Sequence, residues 1–420
     1  MTLKSSASPI SSYLDASDID SSFPYTILDD VTTSTAEGNS PSSQSPSPSR
    51  RRARDLQHIL HTIEKAAYTA GQTVALVTAG QIDIKATKAN TRDLVTESDV
   101  KCQRVIREII RDEFPMDLFL GEEDEEEGGD VSSCDGGDAA GALQALLRGI
   151  RSSPPPPSHS TSSSITEATQ RRRQVGDNDC GDGEEKNRTN DKQDEDGLER
   201  EKGEDRLLFI VDPIDGTTNF QAGLPIYAMS IGVVSLPSSS SSSPEVIAGV
   251  IYNPSLGEMT SAVKGRGCYV NNRRLNTNTS TQQQQQQQPA RTSILDQSLI
   301  NIGFPVCKES TLQASSKAVS ALSTKVRGLR MVACASQTMA WVAQSKFNAY
   351  VGWDLNFWDI AAGLVIVTES GGLVSKFDGS TANVTSRDMI ITCPPERVGE
   401  EGLLRDELIM VLRENDCLEY

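Results

Sequence analysis

Histidine is nearly missing from this 420-residue chain: three occur, at 58, 61 and 159. None lies near the aspartates and glutamates discussed below, so no Ser-His or Cys-His couple offers an activated nucleophile. His58 and His61 fall in an amphipathic stretch and read as surface positions of a first helix. The eight cysteines, at 102, 134, 180, 268, 307, 334, 393 and 417, contain no Cys-x-x-Cys pair. With no histidine spaced to complete a zinc site, they read as reduced thiols. No apolar run reaches the ~18 residues of a membrane-spanning helix. The N-terminus lacks the basic-then-apolar order of a secretory signal, and Asp15, Asp18 and Asp20 oppose an organelle transit peptide. A cytoplasmic protein without a membrane partner is the expectation. Basic residues are also short, 40 Lys and Arg against 58 Asp and Glu for a net charge of −18, which disfavours nucleic-acid binding.

Much of the acidity is local. Residues 124–205 hold 21 acidic and 10 basic residues, together with Pro154 to Pro157 and Arg171 to Arg173. Residues 1–50 are dominated by Ser, Thr, Pro and Asp, 237–244 are Ser or Pro throughout, and Gln282 to Gln288 is an unbroken glutamine tract. Such stretches bury too little apolar surface to offset the entropy of ordering. The expected organisation is a Ser-rich leader over 1–50 and a single catalytic domain over 51–420, interrupted by disordered inserts at 124–205, 237–244 and 280–290. About 270 residues remain for one core.

Residues 206–220, Arg-Leu-Leu-Phe-Ile-Val-Asp-Pro-Ile-Asp-Gly-Thr-Thr-Asn-Phe, carry the densest chemistry. Leu207 to Val211 are strand formers, so Asp212 is expected at the carboxyl end of a buried strand. Pro213 biases it toward extended backbone. With the chain turning there, Asp212 and Asp215 can converge on a divalent cation. Gly216 lets backbone approach a ligand, and Thr217 and Thr218 lie where the unpaired amides of a helix start attract an anion. Three further segments stand beside this one. Residues 353–372 place Trp358-Asp359 at the start of a small-residue helix that Gly371-Gly372 ends. Leu118 to Glu123 read as a strand ending in paired acids, and Asp93-Leu-Val-Thr-Glu-Ser-Asp99 follows Lys88 and leads into a helix that Asp99 could cap.

Together these four segments resemble the inositol monophosphatase family of Mg²⁺-dependent phosphatases, whose signatures are Asp-Pro-Ile/Leu-Asp-Gly-Thr/Ser, Trp-Asp with a following Gly-Gly, Gly-Glu-Glu and Asp-Leu-Val-Thr-x-x-Asp. The strands and helices interleave without a regular βαβ repeat, which makes the chain α+β. The resemblance sharpens this to a layered α-β-α-β-α sandwich. It implies that Glu122, Asp212 and the Ile214 carbonyl hold one Mg²⁺ while Asp212, Asp215 and Asp359 hold a second. Glu122 and Thr217, with Asp99, would handle the attacking water. Asp215, Gly216, Thr217, Thr218, Ala335 and Asp359 would contact the substrate. Inhibition by Li⁺ and assembly as a homodimer are further implications.

Hydrolysis of a phosphate monoester demands accelerations of up to ~10²¹. Without a protein nucleophile, metals must supply most of it. Carboxylates select hard cations such as Mg²⁺. The run Thr217-Thr218-Asn219-Phe220 resembles the inositol branch of the family, as do Arg330 and Ala333-Cys334-Ala335, where the family has Gly-Thr/Ser-Ala. The expected substrate is myo-inositol monophosphate. One departure lies at Gly352, where many family members carry a glutamate that accepts hydrogen bonds from ring hydroxyls; Asp354 is a candidate substitute. Without such an acceptor, histidinol phosphate or another sugar phosphate is the alternative. A non-catalytic interaction protein that recruits partners through its inserts is the reading from a different class.

Overall fold

The computed structural model describes residues 48–75, 84–87, 94–123, 206–237, 244–275, 294–305, 308–395 and 402–418, with backbone alone for 48–55, 84–87 and 94–96. The leader before Pro48, the inserts 124–205 and 280–290, residues 238–243, and Lys88 and Asp93 lie outside the described residues.

In chain order the elements are α1 (Pro48–Ala75), β1 (Ile84–Thr87), β2 (Leu94–Thr96), α2 (Glu97–Glu113), β3 (Leu118–Gly121), β4 (Arg206–Asp215), α3 (Thr217–Gln221), β5 (Ala228–Leu236), β6 (Glu245–Asn253), β7 (Glu258–Val263), β8 (Gly267–Val270) and β9 (Arg273–Arg274). There follow β10 (Leu299–Ile302), α4 (Glu309–Ser323), β11 (Gly328–Arg330), α5 (Ala335–Ala343), β12 (Ala349–Gly352), α6 (Phe357–Glu369), β13 (Leu373–Ser375), β14 (Met389–Thr392) and α7 (Leu403–Glu414). Strand β10 and helix α7 are absent from the sequence expectation.

A seven-stranded sheet of order β3-β4-β5-β6-β7-β8-β9 and a five-stranded sheet of order β11-β10-β12-β14-β13 form the two β layers. Helices α1 and α2 cover the outer face of the larger sheet, α5 and α6 lie between the sheets, and α4 and α7 cover the outer face of the smaller one. This is the expected α-β-α-β-α order. Because helices cover both faces of β4, its residues from Leu208 to Asp215 are all buried. Alternation divides them: Phe209 and Val211 pack with α1 and α2, while Leu208 and Ile210 join the core between the sheets.

The approach of α6 to the large sheet depends on two glycines. A Cβ on Gly232 of β5 would fall 2.6 Å from the Cβ of Ala361, and one on Gly249 of β6 would fall 2.7 Å from the Ala362 carbonyl oxygen. The small residues Ala361, Ala362 and Gly363 therefore meet bare backbone, as their sequence implied. At the far end of α6, Gly371 has φ 86°. Its N–H donates to Thr368 O at 3.0 Å, and Gly372 N–H donates to Val367 O at 2.9 Å. This paired closure satisfies the last carbonyls of the helix.

One buried acid ties α1 to the large sheet. Glu64 is 7% exposed and its Oε1 accepts the Ser261 hydroxyl proton at 2.6 Å. Burial pushes its pKa up to about 7, against an opposing pull from Ser261. A carboxyl whose pKa rises on folding contributes stability that is complete below its unfolded pKa, near 4.5, and is lost as pH climbs through about 7. Glu64→Gln is thus expected to raise the urea midpoint at pH 8 by an amount corresponding to as much as ~3 kcal/mol, and to leave it little changed at pH 4.5. Urea denaturation of both proteins across that range checks the sign; equal midpoints at pH 8 would contradict it.

Candidate active site

Strand β3 runs parallel to β4 with Gly121 opposite Val211, so Glu122 and Asp212 emerge side by side. The sequence expectation ends the strand at Asp212, whereas β4 continues to Asp215. The pairing with β5 slips between Asp212 and Asp215, at the place where Pro213 has no N–H to give the ladder. The resulting bulge turns both aspartates toward the same space. Ile214 N–H donates to Asp212 Oδ1 at 3.1 Å, which fixes that carboxylate locally.

The third acid arrives from between the sheets. Asp359 lies in the first turn of α6, where its Oδ2 accepts the Asn356 N–H at 2.8 Å. It caps its helix with one oxygen and keeps the other for the site. Asp212, Asp215 and Asp359 each place a carboxylate oxygen within 4.8 Å of the others. Glu122 stands close enough to Asp212 to oppose its ionisation, outside that 4.8 Å group.

This concentration of like charge is costly without a cation. Burial raises the Asp212 pKa well above the carboxylate range, and Glu122, Asp215 and Asp359 push the same way. Asp359 is also raised well above that range, by burial first and then by Asp215 and Glu122; Asn356 and Arg387 oppose the shift. Asp215 rises less steeply because hydrogen bonds from Ser336 and Cys334 offset its burial. Those bonds run from Ser336 N–H to Asp215 Oδ2 at 2.6 Å and from Cys334 Sγ to the same oxygen at 3.3 Å. An oxygen-only donor set with this much mutual repulsion fits a hard divalent cation.

Beyond Asp215 the chain enters α3 through Gly216 at φ 89°. The conformation favours glycine, and a Cβ there would fall 2.9 Å from Ile226 O. The first intrahelical bond is Phe220 N–H to Gly216 O, 2.9 Å, so the amides of Thr217 and Thr218 have no acceptor within the helix. Thr217 Oγ1 stands 3.0 Å from Ile214 O and 3.3 Å from Asp99 Oδ1. Asp99 is 1% exposed and sits in the first turn of α2, so its side chain reaches Thr217 from a helix start. Thr218 is exposed, and Ala335, half-buried, opens α5 next to the Ser336 amide that holds Asp215.

Asn219 and Tyr350 escaped the sequence reading as contributors to the site. The Asn219 amide nitrogen, two residues past Thr217, donates to Ile226 O and Val332 O at 2.8 Å each and stands 3.3 Å from Ala333 O, clasping the loop after β4 to the loop before α5. Ala333 has φ 51°, so an alanine in the family's glycine position holds a left-handed backbone that favours glycine. Tyr350, 2% exposed, lies near enough to Asp359 and Asp215 that both, after burial, raise its pKa. The Thr-Thr-Asn order could have signalled Asn219; nothing local signals Tyr350.

Asp354 does not take the place of the missing glutamate. It has φ 53°, and its Oδ1 receives Arg387 Nη2 at 2.6 Å and Arg387 Nε at 2.9 Å, with Lys308 Nζ at 3.5 Å. These contacts all fall on Oδ1, in a side chain only 6% exposed. At Gly352 itself, a Cβ would fall 2.6 Å from Leu355 Cδ1.

Comparisons with known proteins bear on the fold and the family. The profile of the inositol monophosphatase family matches residues 55–140 and 159–408. A Thermotoga maritima protein named fructose-1,6-bisphosphatase/inositol-1-monophosphatase is 32% identical over 214 residues, covering 51% of this chain and 70% of that protein. An inositol-1-monophosphatase of Mesorhizobium japonicum is 33% identical over 179 residues, or 42% of this chain; the chain thus spans only 60% of that relative. Among solved structures, the extragenic suppressor protein SuhB of Bartonella henselae shares the fold with a TM-score of 0.55 at 22% identity, covering 85% of this chain and 99% of the other.

Proposed function

The chain belongs to the inositol monophosphatase family, and from that premise we propose that it is a Mg²⁺-dependent phosphomonoesterase that hydrolyses myo-inositol monophosphate. The observation that carries this reading is the convergence of Asp212, Asp215 and Asp359 within 4.8 Å, beside an unpaired helix start. Glu122, Asp212, Asp215, Asp359 and the Ile214 carbonyl would hold two Mg²⁺ ions. When bound, the cations supply an acidified water and a Lewis acid for the phosphoryl and leaving oxygens.

The chain's own groups do the rest. With the Thr217 hydroxyl donating to Asp99, its lone pairs accept a hydrogen bond from the attacking water and aim it, and Glu122 orients the same water from the other side. The amides of Gly216 and Thr217 donate to phosphate oxygens and stabilise charge that develops there. Ala335, Thr218, Asp215 and Asp359 border the space for the ester. Water adds to phosphorus in line as the ester P–O bond breaks, and the alcohol leaves. No covalent intermediate forms, because no activated side-chain nucleophile stands in the site.

A second substrate reading rests on Gly352 and on the engagement of Asp354 by Arg387. A site without a hydroxyl acceptor discriminates less among polyols, which favours another sugar phosphate or histidinol phosphate; the double name of the Thermotoga relative points the same way. Phosphate release from inositol-1-phosphate, histidinol phosphate, fructose-1,6-bisphosphate and 3′-phosphoadenosine 5′-phosphate, with Mg²⁺ and with chelator, separates the readings. The highest kcat/KM is expected on inositol-1-phosphate. A higher value on another ester would move the substrate and keep the chemistry, while no release from any of them would overturn the phosphatase assignment.

A further inference from the structure

Glu122 stands at a vulnerable place in the chain. It is one residue past the four-residue strand β3, and residues 124–205 intervene before the chain returns as β4. Whatever fixes Glu122 must act within a residue or two of it. We infer that Gln103 of α2 is that positioning residue: it sets the candidate metal ligand Glu122 by accepting the backbone N–H of Glu123. The inference rests on the metal-dependent reading above.

The Glu123 N–H donates to Gln103 Oε1 at 3.0 Å, in a buried setting. Gln103 is 5% exposed, so this bond is shielded from competing water. Its amide also lies flat on the last residue of β3. A Cβ on Gly121 would fall 2.2 Å from Gln103 Oε1 and 2.3 Å from its amide carbon. The absence of a side chain at 121 is what lets the amide reach the backbone beyond. Gln103 thus touches the residues on both sides of Glu122, while making its hydrogen bond to the second.

The same helix face serves both sides of the site. Asp99 and Gln103 are four residues apart on α2 and therefore neighbours along one face. Asp99 reaches Thr217 after β4, and Gln103 reaches Glu123 after β3. One rigid helix sets the spacing between the two groups assigned to the attacking water. Loss of the Gln103 acceptor would leave the Glu123 N–H buried without a partner, and the backbone would shift to recover one.

Groups that orient a metal ligand from behind are worth about 10–100-fold in metal affinity when removed. The test is calorimetric titration of Mn²⁺ into the full-length protein without substrate, together with the Mg²⁺ concentration for half-maximal phosphate release. Gln103→Met removes the acceptor at similar size, and Gln103→Asn keeps an amide but withdraws it by one methylene. Both are expected to weaken Mn²⁺ binding and to raise the Mg²⁺ requirement about tenfold, with kcat at saturating Mg²⁺ reduced much less. Gln103→Glu retains an acceptor oxygen at the same reach and is expected to bind Mn²⁺ within about twofold of the natural protein. A general packing role would instead lower the melting temperature of all three without separating them by metal affinity. Mn²⁺ affinity in Gln103→Asn equal to that of the natural protein would overturn the inference alone. Absence of Mn²⁺ uptake by the natural protein would overturn the metal reading, and this inference with it.

Discussion

Asp212→Asn is expected to lower kcat/KM by at least ~10³-fold while raising the melting temperature of the metal-free protein. The loss follows from its position: Asp212 faces Asp215, Asp359 and Glu122, and its removal takes away a ligand expected to serve both cations. Cations held there would supply several kcal/mol of transition-state stabilisation, and each 1.36 kcal/mol is a factor of ten. The gain in stability follows from the same neighbours. Burial and three adjacent acids all oppose ionisation of Asp212, so a neutral isostere removes a repulsion that the metal-free fold must otherwise bear.

The sign of its pH dependence is also determined. A carboxyl whose pKa is raised on folding contributes stability at low pH that is lost as pH rises. In chelator, the stability advantage of Asp212→Asn should therefore widen as pH rises. Saturating Mg²⁺ should reverse the order, because a ligand that binds only the folded state stabilises by mass action and the mutant binds it poorly. Thermal melts in chelator and in Mg²⁺ provide the comparison. Retained turnover, or a mutant less stable than the natural protein in chelator at pH 8, would contradict the account.

The second large effect is expected at a position that bears no charge itself. Gly232→Val should cost about 3 kcal/mol or more, because the new Cβ would meet the backbone of Ala361 and Ala362 at 2.7 to 2.8 Å. That backbone belongs to a helix and cannot yield as a side chain end can. Ala361 follows Asp359 by two residues, so displacement of α6 also withdraws the third carboxylate. Urea midpoints measure the first consequence and Mn²⁺ affinity the second. A loss below about 1 kcal/mol would show that α6 sits on the sheet with more freedom than the contacts allow.

The carboxylate cluster was legible because its members are written in short local runs. Asp212 and Asp215 are three residues apart, and Trp358-Asp359 opens a helix whose glycine stop is also plain. The layered fold was legible through the same runs only by way of the family resemblance they carry. What could not be read locally were contacts set by the strand layout. Ser336 N–H on Asp215 spans more than a hundred residues, and Asp354 was bound to Arg387 by a loop that only the five-stranded sheet brings near. The continuation of β4 through Pro213 was missed because the proline signals a turn, yet at a bulge its lack of an N–H costs the ladder nothing. Strand β10 is as short as β3, four residues, but carries no motif residue that would mark it. Helix α7 does carry a readable pattern, with Leu404, Leu408, Val411 and Leu412 buried at helical spacing, but it bears no group that a motif would single out.

The central claim is that the buried carboxylates hold the cations that drive ester hydrolysis. Phosphate release from inositol-1-phosphate by the full-length protein, measured in Mg²⁺, after chelation and after Mg²⁺ is restored, tests it most directly. The expected result is turnover that disappears with chelator and returns with the metal. Turnover that persists in chelator, or none in Mg²⁺ from this ester or its sister substrates, would contradict it.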